Sequence, residues 1–178
     1  RGPQIYTQCL VVGADLLARF SNNPFALLRA VVAQGSLRVY DPVPTRLTPI
    51  RLVGRAAPFD QALVGQLADD PGIAWLATTI QALIDEPRLG LMVGSNGQRI
   101  VQGLFNLLPP ECRTEFSFAT GLRYSPRRPF RLACLPPAKA EARRLERRYD
   151  LRVLDLSGEP PREFEPRDGW ACFVGAAL

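Results

Sequence analysis

The 178-residue sequence contains no histidine, a single lysine (Lys139) and a single methionine (Met92). Without an imidazole, the Ser-His-Asp and Cys-His nucleophile systems are excluded, as is every histidine-ligated metal site. One lysine leaves little room for Schiff-base or P-loop chemistry. No apolar run reaches the roughly 18 residues that a membrane-spanning helix needs. Nothing in the opening residues resembles a secretory signal, so a cytoplasmic protein is expected. A chain that opens on Arg1 rather than Met is expected to be part of a longer protein.

Cysteine pairs at metal or redox spacing are also missing. Cys9, Cys112, Cys134 and Cys172 stand far apart with no C-x-x-C. Free thiols in a reducing compartment are expected. Cys9, Cys134 and Cys172 sit in apolar, strand-like runs and read as small buried hydrophobes, whereas Cys112 in Pro-Pro-Glu-Cys-Arg reads as exposed.

What is present is core and arginine. Apolar residues make up 47% of the chain, enough to bury a real core. The expected fold class is α+β: two αβ lobes, 1–86 and 87–178, or one mixed-sheet domain with helices packed on the sheet. Ile5–Val12 and Trp170–Val174 are rich in strand formers. Residues 37–55 alternate loosely between prolines and suggest edge strands. Asn23-Pro24 can start a helix that ends at Gly35, and helices are expected near 59–68 and 72–85. A strand at Arg88–Val93, a turn at Gly94–Gly97 and a helix over 98–108 follow. Phe116–Leu135 then reads as a β-hairpin turning at Ser125–Pro129. A helix at 138–149, a strand near Arg152–Leu156 and a loop over 158–169 complete the second half.

The Gly94-Ser95-Asn96-Gly97 turn lies between strand and helix, where phosphate often binds, but it lacks the spacing and lysine of a Walker loop. Its simplest reading is a turn in which Ser95 or Asn96 caps the helix. Asp69-Asp70 and Asp85-Glu86 stand at expected helix ends with no third ligand nearby, so neither a metal nor a cofactor is expected. Cys112 has no base, and no catalytic residue emerges.

Charge is the better lead. The chain carries net +5, yet residues 123–152 alone hold ten cations against three acids. On a helix over 138–149, Ala138, Ala142, Leu145 and Tyr149 form one stripe while Lys139, Arg143, Arg144, Arg147 and Arg148 fan over the opposite side. Arg127 and Arg128 add charge at the neighbouring turn. These seven residues are the candidate anion or partner surface, with Glu141 placed to pair with Arg144.

The segment Leu104-Phe105-Asn106-Leu107-Leu108-Pro109-Pro110-Glu111-Cys112-Arg113-Thr114-Glu115-Phe116-Ser117-Phe118-Ala119-Thr120 resembles part of the bacterial GTPase-associated protein family. These are multidomain proteins of conflict and signalling systems, encoded beside small GTPases and other NTPases. Tyr6–Leu37, with Asn23-Pro24-Phe25-Ala26-Leu27-Leu28-Arg29, is similar in style to planctomycete-type relatives. The resemblance implies a non-enzymatic protein–protein interaction or regulatory module that touches a GTPase or another NTPase. It supplies no catalytic residue. The alternative is nucleic-acid or nucleotide binding through the basic 123–152 region. A third class, an enzyme built on Cys112 or the paired acids, lacks a partner base.

Overall fold

The computed structural model describes residues 6–40, 44–128, 130–159 and 167–177. They fall into two compact units that divide between Pro58 and Phe59.

The first unit contains α1 (Ala14–Arg19) and α2 (Pro24–Ala33). Asn23 starts α2 as its composition suggests: its side-chain oxygen accepts from Phe25 N at 3.0 Å and Ala26 N at 3.2 Å. Gly35, at φ +69°, closes the helix in the left-handed conformation that glycine adopts without strain. Phe20, Ala26, Leu27, Val31 and Leu52 form the small core of this unit. The strands expected at 5–12 and 37–55 do not form among the described residues, and Ile5 and Asp41–Val43 lie outside them. These stretches are extended but unpaired, and polar side chains tie them down. Arg19 Nη2 donates to Gly54 O at 2.9 Å, Gln8 Nε2 to Arg38 O at 2.6 Å and Gln34 Nε2 to Arg51 O at 3.0 Å.

The second unit mixes helices with a four-stranded sheet. In chain order it contains α3 (Gln61–Leu67), α4 (Ile73–Asp85), β1 (Leu89–Met92), α5 (Gly97–Leu107), β2 (Phe118–Ala119), β3 (Leu132–Leu135), α6 (Lys139–Tyr149), β4 (Arg152–Asp155) and α7 (Gly169–Ala177). The helices at 61–85 belong here: α3 and α4 pack on α5, and α4 on α7. The structural division therefore falls earlier than the 86/87 boundary, because the apolar faces of α3 and α4 are spent on the second unit.

The sheet order is β2-β3-β1-β4 and every pairing is parallel. This corrects the 116–135 hairpin: β2 and β3 lie side by side, but Phe118 aligns with Leu132 in parallel register. The direction is set by β1, which pairs with both β3 and β4. A sheet covered on both faces buries its strands completely, and β1 and β3 are buried along their whole length. Ala133 and Leu135 of β3 pack with Leu145 of α6 and with Leu151. Cys134 points to the other face, where its Sγ would lie 3.2 Å from a methyl placed on Gly97 at the start of α5. Helices α5 and α6 thus cover opposite faces. The chain leaves β1 through α5 for one edge and leaves β3 through α6 for the other.

Two arginines brace this layering. Arg113, just after α5, is buried; its Nε donates to Leu108 O at 3.0 Å and its Nη2 to Asn106 O at 3.3 Å. It thereby satisfies carbonyls at the C-terminus of α5, where a cation also meets the negative end of the helix dipole. Burial lowers its pKa from the ordinary arginine value, and Glu111 acts in the opposite direction. Arg131 Nη2 donates to Leu83 O at 2.8 Å near the end of α4, and its guanidinium lies 4.4 Å from the Phe116 ring centre. Phe118 meets Phe105 of α5 edge to face at 5.0 Å.

The last apolar run is helical, not a strand. Asp168 Oδ1 accepts from Trp170 N at 2.8 Å to start α7, and Trp170 Nε1 donates to Leu107 O at 2.7 Å. Of the expected 158–169 loop, residues 160–166 lie outside the described residues. Trp75 is buried, as expected of a core tryptophan, while Trp170 is half-buried. Cys134 is buried, but Cys9 and Cys172 are exposed, together with Cys112. Apolar neighbours in sequence did not bury those two thiols, because neither run became a paired strand. Among the described residues no helix is long and apolar enough to cross a membrane.

Candidate functional site

In an open parallel sheet, a crevice forms where neighbouring strands send their connections to opposite faces, at the carboxyl ends of those strands. Here that point lies between β1 and β3. A cavity of about 790 Å3 occupies it, walled by the segments that follow β1, β2 and β3. After β1 come Gly94, Ser95, Gly97 and Gln98; after β2, Thr120 to Tyr124; after β3, Pro136, Pro137 and the first turns of α6.

Asn96 precedes α5 and Ala138 precedes α6, and neither makes a side-chain capping bond. The expected Asn96 cap is therefore absent, and alanine cannot cap at all. First-turn N–H groups of an α-helix have no partner within the helix, and they carry about half a positive charge in sum. The opening residues of both helices line the same crevice. Gly97 is required by packing, since a Cβ there would come within 2.8 Å of Val93 Cγ2 as well as near Cys134.

Few formal charges enter the site. Arg123 and Glu141 are its charged lining residues. Their side chains approach to 3.8 Å, and Glu141 also lies 3.6 Å from Arg144. Cys134 lines the floor, and burial pushes its thiol up to about 11, so it is a neutral wall group and not a nucleophile at neutral pH. Tyr124 packs against Tyr149 with ring centres 5.9 Å apart, and its hydroxyl is screened from solvent without a hydrogen-bond partner. Leaving such a group unpaired costs about 1–3 kcal/mol.

The cationic face sits beside this crevice on the outer side of α6. Ala142 and Leu145 are buried, whereas Lys139, Arg143, Arg144, Arg147 and Arg148 are exposed, as are Arg127 and Arg128 in the turn before β3. Lys139 Nζ lies 3.7 Å from Asp155 Oδ2. Ser157 Oγ donates to Asp155 at 2.5 Å, and this bond, with Lys139 adding to it, lowers the Asp155 pKa. Arg147 Nε donates to Arg143 O at 3.3 Å, and Arg148 lies 5.4 Å from the Tyr149 ring centre. Among the described residues no carboxylate pairs with Arg143, Arg147 or Arg148.

The crevice brings together residues that are far apart in sequence: the Gly94–Gly97 turn, Thr120, Tyr124 and the Pro136-Pro137 turn. The signal that was available is repetition: twice a short apolar strand runs into a turn and then a helix. Asp69, Asp70, Asp85 and Glu86 do not converge, and no group of three or more metal-ligating side chains exists among the described residues. Cys112 is exposed on the short 3-10 turn Cys112–Glu115, away from the residues that line the crevice. No family model, curated protein or solved structure matches the chain.

Proposed function

We propose that this protein is a non-enzymatic regulatory module that binds a small molecule bearing an acidic group in the crevice between β1 and β3. The observation that carries the reading is the convergence of two helix starts without side-chain caps on one cavity of about 790 Å3. First-turn N–H groups without side-chain caps favour an anion there, and Arg123 stands at the rim beside Glu141. The buried Cys134 thiol and the absence of any histidine in the sequence agree with binding rather than catalysis. A regulatory module is also what the resemblance to GTPase-associated proteins implies.

A second reading concerns α6. Its Arg143, Arg147 and Arg148, which pair with no carboxylate among the described residues, suit an acidic surface on a protein partner, an NTPase among the candidates, and nucleic acid is the alternative partner.

Inorganic phosphate is the direct test of the first reading. At matched ionic strength it should raise the melting temperature saturably above that in chloride, because a ligand at 100 times its Kd stabilises by about 2.7 kcal/mol. Arg123→Gln should weaken the effect. Identical melting in phosphate and chloride would remove the reading.

A further inference from the structure

Resting on the second reading, in which α6 is a recognition surface, we infer that its occupant is duplex DNA, held by the phosphates on either side of the major groove. The make-up of the exposed face argues against a protein partner. Among the described residues α6 exposes no large apolar side chain: Leu145 is buried, and Tyr149 is half-buried against Tyr124. A protein interface is anchored at its centre by apolar and aromatic side chains, whereas a DNA interface is more polar and much more positively charged. Apart from Lys139, the exposed cations of α6 are arginines, whose guanidinium forks match phosphate oxygens in pairs.

The arrangement around the helix selects the duplex. At about 100° per residue, Ala140 and Arg147 crown the side opposite the buried Ala142 and Leu145, with Lys139 and Arg143 on one flank and Arg144 and Arg148 on the other. An α-helix is about 10–12 Å across, and the B-form major groove, about 12 Å wide, admits one with a phosphate strand on each side. The A-form groove of duplex RNA is too deep and narrow for it. Single strands are held by bases stacked on exposed aromatic rings, which this face lacks. The 5.9 Å contact of Tyr124 with Tyr149 holds the segment before the Ser125–Arg128 turn at the C-terminal end of α6, so the exposed Arg127 and Arg128 prolong the basic strip. The two acids of α6 are engaged within the protein: Glu141 lies near Arg123 and Arg144, and Glu146 accepts from Val153 N at 3.1 Å.

The experiment is fluorescence anisotropy of the full chain, across a series of salt concentrations, with a mixed-sequence DNA duplex, an RNA duplex of the same sequence and poly-glutamate of equal charge. Phosphate contacts by the five cations of α6 predict that DNA affinity falls about 500-fold between about 50 and 200 mM salt. The DNA duplex should bind about tenfold or more tighter than the RNA duplex or poly-glutamate. Arg143→Gln combined with Arg147→Gln should flatten the log–log salt slope by about two, whereas Arg29→Gln on α2 should leave it unchanged. All three side chains are exposed, so the fold should survive, and an unchanged melting temperature checks that. If poly-glutamate binds as tightly as DNA, the inference falls and the acidic-partner reading of α6 stands. If the RNA duplex binds tighter, the DNA assignment falls. A slope that ignores the double substitution removes α6 as the DNA surface. If no polyanion binds even at low salt, the inference and the second reading fall together.

Discussion

The two units use similar residues in opposite ways. Among the described residues of 6–58, strand-forming stretches do not pair, with Val11 95%, Val39 75% and Val53 78% exposed. Residues 59–177 contain strands of four residues or fewer, yet β1 and β3 are wholly buried. In the first unit, long polar side chains reach the backbone of extended segments; in the second, ladder hydrogen bonds and two helix layers do the same work. Valine content therefore records apolar surface, and a partner strand decides whether that surface becomes core.

The contrast is sharpest in large truncations. Phe105→Ala, which removes a buried ring and its contact with Phe118, should cost about 3–5 kcal/mol, read as a lower denaturation midpoint by tryptophan fluorescence. Both tryptophans, Trp75 and Trp170, report on the second unit. Arg113→Met should cost about 2–3 kcal/mol by the same measurement, because it strands buried carbonyls at the end of α5. In the first unit, Asn23→Ala should cost about 1 kcal/mol, seen as faster hydrogen exchange across α2. Val53→Ser should change stability by no more than about 0.5 kcal/mol, since the side chain is already in water.

Thiol chemistry separates the buried sheet from its surroundings within the second unit. Cys9, Cys112 and Cys172 should alkylate in the native protein, and Cys134 only after unfolding. The folded Cys134 pKa lies above the unfolded value of 9.0, at about 11. The unfolded thiol therefore ionises first, so this contribution to stability is intact below pH 9 and is lost as pH rises to about 11. Comparing wild type with Cys134→Ala across that window isolates the effect.

Local physics made most helices legible. Asn23-Pro24, Gly35 and the apolar spacing of 73–83 and 100–108 are signals contained in a few residues. The short strands 89–92 and 132–135 could be read as well, since each is an apolar run bounded by turns, and 152–155 by its Val153-Leu154 pair just after the end of α6. Their direction could not. A turn at Ser125–Arg128 fits a hairpin locally, yet β2 and β3 pair in parallel, within a sheet completed by β1 and β4 from elsewhere in the sequence. Trp170–Val174 carries no helical period of its own; its helix depends on Asp168 and on packing against α4. The cationic face of α6 followed directly from helical geometry. The crevice did not, because each half looks like an ordinary turn until the sheet places them side by side.

Amide shifts in a 1H–15N NMR titration with inorganic phosphate, at constant ionic strength, test the central claim most directly. The account predicts saturable shifts at Ser95–Gln98 and Ala138–Glu141, in both helix starts at one common Kd, with α2 amides unmoved. Shifts confined to the outer face of α6 around Arg143 and Arg147, or no saturable shift at either helix start, would contradict it.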